Sequence, residues 1–532
     1  MFNFNSNNFL RKISIYFIFF LILLSIYNST VIGFSWDEVF HHVNGLLRFN
    51  YLISLGDFQN FNYANNRYYP GLYDTISFAI GHVVEKIDVN FYQNYISEIK
   101  HLINLFFSIL SLLGFFLIVN IFFNKDVSLI AVLLTLLNPF FFGHMSINPK
   151  DIIIFFSLIW FCYFFYKYLF YEKKKYINLI SAAFFAGLGC GVRISFVALL
   201  FPIFIIGTIC FFKKSKNYLI SLKQFVVHIT FAIAIIVILT IVAWPHVLSN
   251  SFSLLLETVK NSISWSAGPK LGLINGLFYE TANTSSLYFL KMIKYKMPFF
   301  LSLLFFLSYF LVIIKKNFFA QVTENFNIKF IIINVLIIFP IIISIIFSVK
   351  IYDYLRLFIF IMPFLGILAS LSLYYYIVNC HKSFYNKFVI VVLIFLFSIF
   401  FYRFIILSPY QYTYVNFYYP KLKNSYNKFE HDYWGTSFKE LVIKIKNNFP
   451  SSEISNFKFS LCGGDSDALL YYLKKYLNIN KIYNYDMSTH IIMTNRASFN
   501  VNDKTTCFKK YKGNDLVTIT RDDLILSTMR KN

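Results

Sequence analysis

Long apolar runs, with few of the polar breaks that a half-buried soluble helix carries, recur along this chain as far as residue 407. Each lasts roughly 18 residues or more, about the length that crosses a bilayer core. They are apolar on every side rather than along one stripe, so the surrounding solvent is lipid. Eleven spans are predicted, near 13–33, 102–122, 127–145, 152–171, 177–193, 195–212, 225–245, 298–314, 328–349, 355–378 and 388–407. The first is too long for a secretory leader, and no small-residue cleavage site follows it, so it reads as a retained membrane helix.

Between the runs, three segments are long: 34–101, 246–297 and 408–532. The pattern changes in the last of these. Alternation in FKFSLC (457–462), a helical period in DALLYYLKKYL (467–477) and the run HIIMTN (490–495) predict a small α/β unit. The expected architecture is therefore mainly α, a transmembrane domain over 1–407 and a soluble α/β domain over 408–532. The middle segment, with Trp244, Pro245 and Trp265, is expected to hold amphipathic helices lying on the membrane.

Charge adds a direction. The 532 residues carry 48 Lys and Arg against 25 Asp and Glu, a net charge of +23. Placing the N-terminus inside puts Arg11, Lys12, Lys125, Lys173, Lys174, Lys175, Lys213, Lys214, Lys216, Lys315, Lys316, Lys382 and Lys387 in short inner connections. That is the positive-inside pattern. It predicts a multi-pass protein of the cell's inner membrane, with a cytoplasmic N-terminus and an extracytoplasmic C-terminus. The basic residues are spread over turns rather than gathered on one soluble face, which argues against nucleic acid as a partner. Of six cysteines, Cys162, Cys190, Cys210 and Cys380 fall in spans or at their inner ends, and Cys462 and Cys507 stand alone in the outer tail. A disulfide between the latter two is expected if that tail faces an oxidising compartment.

Few ionisable residues lie near the spans, and several gather at the outer rim. The stretch WDEVFHH (36–42) sets Asp37, Glu38, His41 and His42 where the first span leaves the lipid. Lys150 and Asp151, in SINPKD, sit at the outer mouth of the third and fourth spans. Each acid alone fits a hydrated helix cap as well as a catalytic group. Together, in a chain with little charge, they point to chemistry. An acid serves as general base for a hydroxyl or amine; Asp37 and Asp151 could also share a divalent metal ion that steadies a phosphate. Lys150 suits phosphate as a point charge. Arg193, beside Gly187, Gly189 and Gly191, is either a phosphate contact or a helix-end residue snorkelling to water. Arg356, in IYDYLRLF, is a phosphate ligand or the partner of Asp353, three residues earlier on a helical face. Arg403 reads as an interfacial anchor.

Seven stretches carry a family resemblance: WDEVFHH, YYPGLYD (68–74), GHMSINPKD (143–151), GCGVRIS (189–195), IYDYLRLFIFIMPFL (351–365), SPYQYTYVNFYY (408–419) and FEHDYWGTSFKE (429–440). In this order they resemble the bacterial branch of the protein mannosyltransferase-like GT-C glycosyltransferases, glycosyltransferase family 39-like, over residues 34 to about 440. The resemblance implies a polyprenyl-phosphate-linked sugar as donor, transfer on the outer face with inversion, and membrane lipid as surroundings. It implies Asp37 as catalytic base, Glu38 as its acidic neighbour and Asp151 as a second active-site acid; the acceptor (glycan, lipid or protein) stays open. The chain departs from the family at Gly71, where related enzymes often show a second proline, and at YPKLKNSYN (419–427), which replaces a glycine-rich stretch. A secondary transporter would instead keep its charges near the bilayer midplane, often within inverted repeats. A non-catalytic envelope assembly protein would need no acid pattern.

Overall fold

A computed structural model describes residues 4–54, 66–213, 218–250, 252–264, 269–416 and 422–532. Trp265, Lys214, Lys216 and residues 417–419 of the SPYQYTYVNFYY motif lie outside them. The chain opens with α1 (Phe4–Val31), and the WDEVFHH stretch starts α2 (Glu38–Ile53). α3 (Leu72–Ile87) packs against α2, and α4 (Val89–Phe122) follows with 34 residues. At 1.5 Å per residue α4 is about 51 Å long, well beyond a hydrocarbon core of roughly 30 Å. Its first turns precede the predicted span and are set off by non-helical Tyr95. Gly71, just before α3, has φ of 75°, a value that a proline ring held near −65° cannot reach. That is why the family's second proline has no place here.

The predicted span at 127–145 is broken. α5 (Lys125–Leu136) is 12 residues long, and α6 (Pro139–His144) is a separate short helix. Asn138 precedes a proline, which pushes its backbone out of the helical region. It adopts ψ of 110°, and its side chain caps Phe140 and Phe141 of α6. Both pieces are buried almost throughout, packed by α17 and the turn at Gln411–Thr413 rather than by lipid.

α7 (Asp151–Phe170), α8 (Lys175–Val192), α9 (Phe196–Lys213) and α10 (Tyr218–Ile241) follow. The middle segment holds α11 (Pro245–Asn250), the amphipathic α12 (Phe252–Ser264), a hairpin of β1 (Leu271–Ile274) and β2 (Leu277–Glu280), and α13 (Tyr288–Lys296). α14 (Phe299–Ile314) and α15 (Lys316–Val322) meet at a 100° bend. α16 (Phe326–Ile346), α17 (Met362–Val378), entered through a 3-10 turn at Arg356–Ile361, and α18 (Phe384–Ile406) complete this part. Among the described residues, nine helices are long and apolar enough to cross a membrane, or ten if the bent pair is one span. The α5–α6 break and the bend between α14 and α15 account for the difference from eleven. α17 lies at the centre, buried on every side, whereas α10, α16 and α18 show most of their apolar surface outward.

The tail is α/β. α19 (Phe438–Asn448), α20 (Ser451–Ile454), α21 (Ser466–Leu477) and α22 (Cys507–Lys510) accompany β3 (Phe459–Cys462), β4 (His490–Thr494), β5 (Asp515–Arg521) and β6 (Leu524–Lys531). The sheet order is β3-β4-β6-β5, with β3 parallel to β4 and the other pairs antiparallel. Cys462 and Cys507 are joined, their Cα atoms 5.8 Å apart. The tail seats directly on the helices: Gly33 N donates to Thr436 O at 3.0 Å and Phe34 N to the Tyr472 hydroxyl at 2.8 Å. A Cβ on Gly33 would stand 2.6 Å from Thr436 O, so this approach needs glycine. Arg403, expected as an interfacial anchor, instead pairs with Asp522 of the β5–β6 turn at 2.6 Å.

Candidate active site

Asp37 caps α2, Asp151 opens α7, Arg193 ends α8 and Arg356 opens the turn into α17. Four separate helix ends thus converge, and the charges buried there are satisfied by pairing with one another. Arg356 is the hub. Its Nη2 donates directly to Asp37 Oδ2, its Nε to Asp151 Oδ2 at 3.2 Å and its Nη1 to Asp353 Oδ2 at 3.0 Å. Arg193 Nη1 reaches the other oxygen of Asp151 at 3.2 Å. Trp434 lies flat beneath the hub, its ring centroid 4.5 Å from the guanidinium carbon.

Of the two sequence readings of Arg356, the pairing with Asp353 is seen, and the same guanidinium also holds Asp37 and Asp151. The contact with Asp353 is not the expected helical one. Asp353 and Tyr354 both have positive φ, 56° and 58°, so the chain reverses before Arg356 rather than winding toward it. Such a conformation costs roughly 1–3 kcal/mol per non-glycine residue and persists only where neighbours hold it. Here the Tyr354 hydroxyl donates to Glu430 O at 2.8 Å and accepts from Glu430 N at 2.7 Å, while Tyr354 O accepts from Tyr288 at 3.1 Å.

Access separates the two acids. The Asp37 side chain is 28% exposed, whereas those of Asp151 and Arg356 are 3% and 4% exposed. Burial pushes the Asp37 carboxyl up, but Arg356, Lys150 and His41 outweigh it and bring it to about 2. Lys150 lies over the Tyr69 ring at 4.0 Å. Burial, then the neighbouring Arg193 and Arg356, lower its ammonium to about 7 against the pull of Asp37 and Asp151. Asn148 fixes the start of α7, accepting from Asp151 N at 2.9 Å and donating to Asp151 Oδ2 at 3.1 Å.

The structure sets the rest of WDEVFHH apart from this cluster. Glu38 turns inward, 2% exposed, to accept from Ser35 N at 2.7 Å and to meet His101 Nε2 at 3.1 Å. His41 Nδ1 sits 3.0 Å from Asp74, which also takes Asn44 Nδ2 at 2.5 Å. His42 packs on Phe78 with ring centroids 5.5 Å apart, and burial, helped by Lys100, lowers it to about 3. In this arrangement Glu38, His41 and His42 do not line the acid cluster beside Asp37 and Asp151.

The expected divalent ion finds a guanidinium in its place. A hard divalent ion takes about six oxygen ligands or more. Among the described residues, no group of three or more His, Cys, Asp or Glu is placed to hold one. Asp37 and Asp151 spend their facing oxygens on Arg356. The residues as arranged do not fit a metal.

Sequence reasoning missed Arg496. It leaves β4 in the plain stretch MTNRAS, yet its Nη2 donates to Asp353 Oδ1 at 2.7 Å and its Nε stands 3.6 Å from Glu430. Its guanidinium also faces Trp36 at 5.8 Å and Tyr433 at 5.9 Å. Trp434, part of the FEHDYWGTSFKE stretch, donates to Asp353 at 3.3 Å and floors the site. The only signal for Arg496 was a buried ionic partner, which no local pattern announces.

Over 97% of its length the chain superposes on 97% of ArnT from Cupriavidus metallidurans in the apo state, with 10% identity and a TM-score of 0.50. The fold is ArnT-like, of the GT-C class. ArnT from the same organism bound to undecaprenyl phosphate gives 11% identity, the same coverage of both chains and a TM-score of 0.49. The apo oligosaccharyltransferase of Archaeoglobus fulgidus gives 11% identity and 0.44, over 90% of this chain and 65% of that one. Residues 100–244 match the family described as dolichyl-phosphate-mannose-protein mannosyltransferase. No curated protein matches the chain by sequence. The ArnT-like fold agrees with a polytopic helical domain carrying an α/β tail.

Proposed function

We propose that this protein is a membrane glycosyltransferase that moves a sugar from a polyprenyl-phosphate donor to an acceptor at the extracytoplasmic face, with inversion. The observation that carries the reading is Asp37: a part-exposed carboxylate at the N-cap of α2, just beyond the membrane helix α1, held by the same guanidinium that holds buried Asp151. The matched family's description names a lipid-phosphate sugar as donor, which supports that class here. A prenyl tail confines such a donor's phosphate to headgroup level, and Asp37, Lys150, Arg193 and Arg356 all stand at helix ends. The basic short connections support a cytoplasmic N-terminus, which puts these ends and the tail outside.

The chemistry follows from competition for Arg356. A donor phosphate is a better partner for a planar fork than a carboxylate it must share. As the phosphate takes Arg356 and Arg193, with Lys150 adding charge, Asp37 loses the partners that keep it near 2 and becomes a stronger base. An acceptor hydroxyl or amine then attacks the anomeric carbon from the side opposite the phosphate. Its proton passes to Asp37, the bond from anomeric carbon to phosphate oxygen breaks, and polyprenyl phosphate leaves with that electron pair on its oxygen, the charge held by Arg356. Asp151 keeps Arg193 and Arg356 oriented throughout.

Purified protein in vesicles, given a panel of labelled polyprenyl-phosphate sugars and candidate acceptors, should transfer label from one donor and leave polyprenyl phosphate. Transfer undiminished by Asp37→Asn would overturn the base assignment. Uptake of labelled solute without any bond broken would favour a transporter.

A further inference from the structure

The α/β tail does more than cover the helices, because one of its side chains enters the ion chain of the site. Arg496 leaves the end of β4, is 3% exposed, and grips Asp353 Oδ1 at 2.7 Å. Asp353 gives its other oxygen to Arg356 Nη1 at 3.0 Å and to Trp434 Nε1 at 3.3 Å. The same carboxylate is thus shared between the cation that holds Asp37 and a cation supplied by the tail.

We propose that Arg496 is a positioning residue that sets how strongly Arg356 holds the active-site acids and the donor phosphate, acting through Asp353. The sense of the effect follows from charge. With Arg496 present, the negative charge of Asp353 is divided between two guanidinium groups, and Arg356 keeps its Nε and Nη2 for Asp151 and Asp37. Without Arg496, Asp353 is buried with one cation only and draws Arg356 toward itself, away from the acids and from an incoming phosphate. The geometry supports this direction twice over. Asp353 and Tyr354 are held at positive φ by contacts to Glu430, and Glu430 in turn faces Arg496 at 3.6 Å. Gly463, at the exit of β3, has no room for a Cβ, which would stand 2.7 Å from Arg496 Cβ, so the tail's own loop fixes the backbone from which Arg496 projects.

This inference rests on the lipid-phosphate reading above, and its test separates the two. Undecaprenyl phosphate is the probe, titrated against the full-length protein in nanodiscs. Wild-type protein, Arg496→Gln, Asp353→Asn and the double variant are compared, each normalised to folded protein by its melting transition and by recovery of the Cys462–Cys507 bond. Arg496→Gln should weaken binding about tenfold or more, the equivalent of one charged hydrogen bond. Adding it to Asp353→Asn should cost little more, since its route is already cut. Arg496→Lys, which keeps a positive charge on Asp353, should recover most of the loss and decides the matter should the Gln variant not fold. Unchanged affinity in Arg496→Gln, penalties that multiply in the double variant, or a folded Lys variant as weak as Gln would each overturn the coupling. Failure of the wild type to bind the lipid phosphate would overturn the donor reading itself.

Discussion

The two faces of α2 carry the same kinds of residue and do opposite things. On one face Asp37 is part-exposed and bound to a guanidinium that two other acids share. On the other, Glu38, His41, Asn44 and Arg48 form a buried stack under the helix. Glu38 meets Ser35 and His101, His41 and Asn44 meet Asp74, and Arg48 reaches Asn44 at 3.0 Å and Asn66 O at 2.9 Å. The first set has a partner that a phosphate can take over. The second is buried and ties α2 to Asp74 of α3 and His101 of α4. Adjacent acids in sequence therefore need not share one environment; a helix turns them about 100° apart, and burial does the rest.

The comparison breaks most visibly at its first residue. Asp37→Asn keeps size and leaves the stack alone, so turnover should fall by about two orders of magnitude or more with the protein still folded. Full turnover in a verified donor–acceptor assay would remove Asp37 from the chemistry.

Arg356→Lys should come next. The charge survives but the fork does not, and three carboxylates cannot be held in one plane by an ammonium. A fall of about 10- to 100-fold in kcat/KM for the donor is expected, with acceptor KM much less affected. Equal effects on both substrates would mean the residue only supports the fold.

Glu38→Ala probes the other face, and should invert the pattern. It leaves Ser35 N and His101 without their acceptor in a buried site, a cost of about 1–3 kcal/mol, read as a lower melting temperature. Turnover per folded molecule should change far less than in Asp37→Asn. Lost turnover at unchanged stability would return Glu38 to the active site.

The pH response sharpens the picture further. Lys150 lies near 7, and its cationic form, which adds charge toward a phosphate, is present below that value and lost above it. The donor kcat/KM, which reports the free enzyme, should therefore decline as pH rises through about 7, and Lys150→Gln should flatten that limb. Asp37 lies near 2, so its protonation adds no limb at neutral pH. The smallest effect expected is none: EDTA should leave turnover unchanged, and restoration of a lost rate by a divalent ion would show that Asp37 and Asp151 rearrange to bind one.

Much of this protein was legible one segment at a time. Apolar runs announced most membrane helices, because lipid demands an apolar surface over a fixed length regardless of neighbours. Alternation and helical period announced β3, α21 and β4. β5 and β6, in DLVTITRDDLILSTMRK, went unread although they alternate; the short turn at Asp522 and Asp523 gave little punctuation. The break at Asn138-Pro139 was written in the sequence and overruled by the apolar residues around it. Asp37, Asp151, Lys150, Arg193 and Arg356 stood out because charge is rare near these spans.

Which of those charges touch was decided only by the tertiary structure. Asp37 and Arg356 are 319 residues apart, and Asp353 and Arg496 are 143 apart. Ion pairing depends on distance in space, and no local pattern encodes it. Sequence alone determined that acids and cations sit at helix ends, since a bilayer excludes them from elsewhere. Packing decided that Glu38 and His41 turn inward, that one guanidinium serves three carboxylates, and that an arginine of the tail completes the chain.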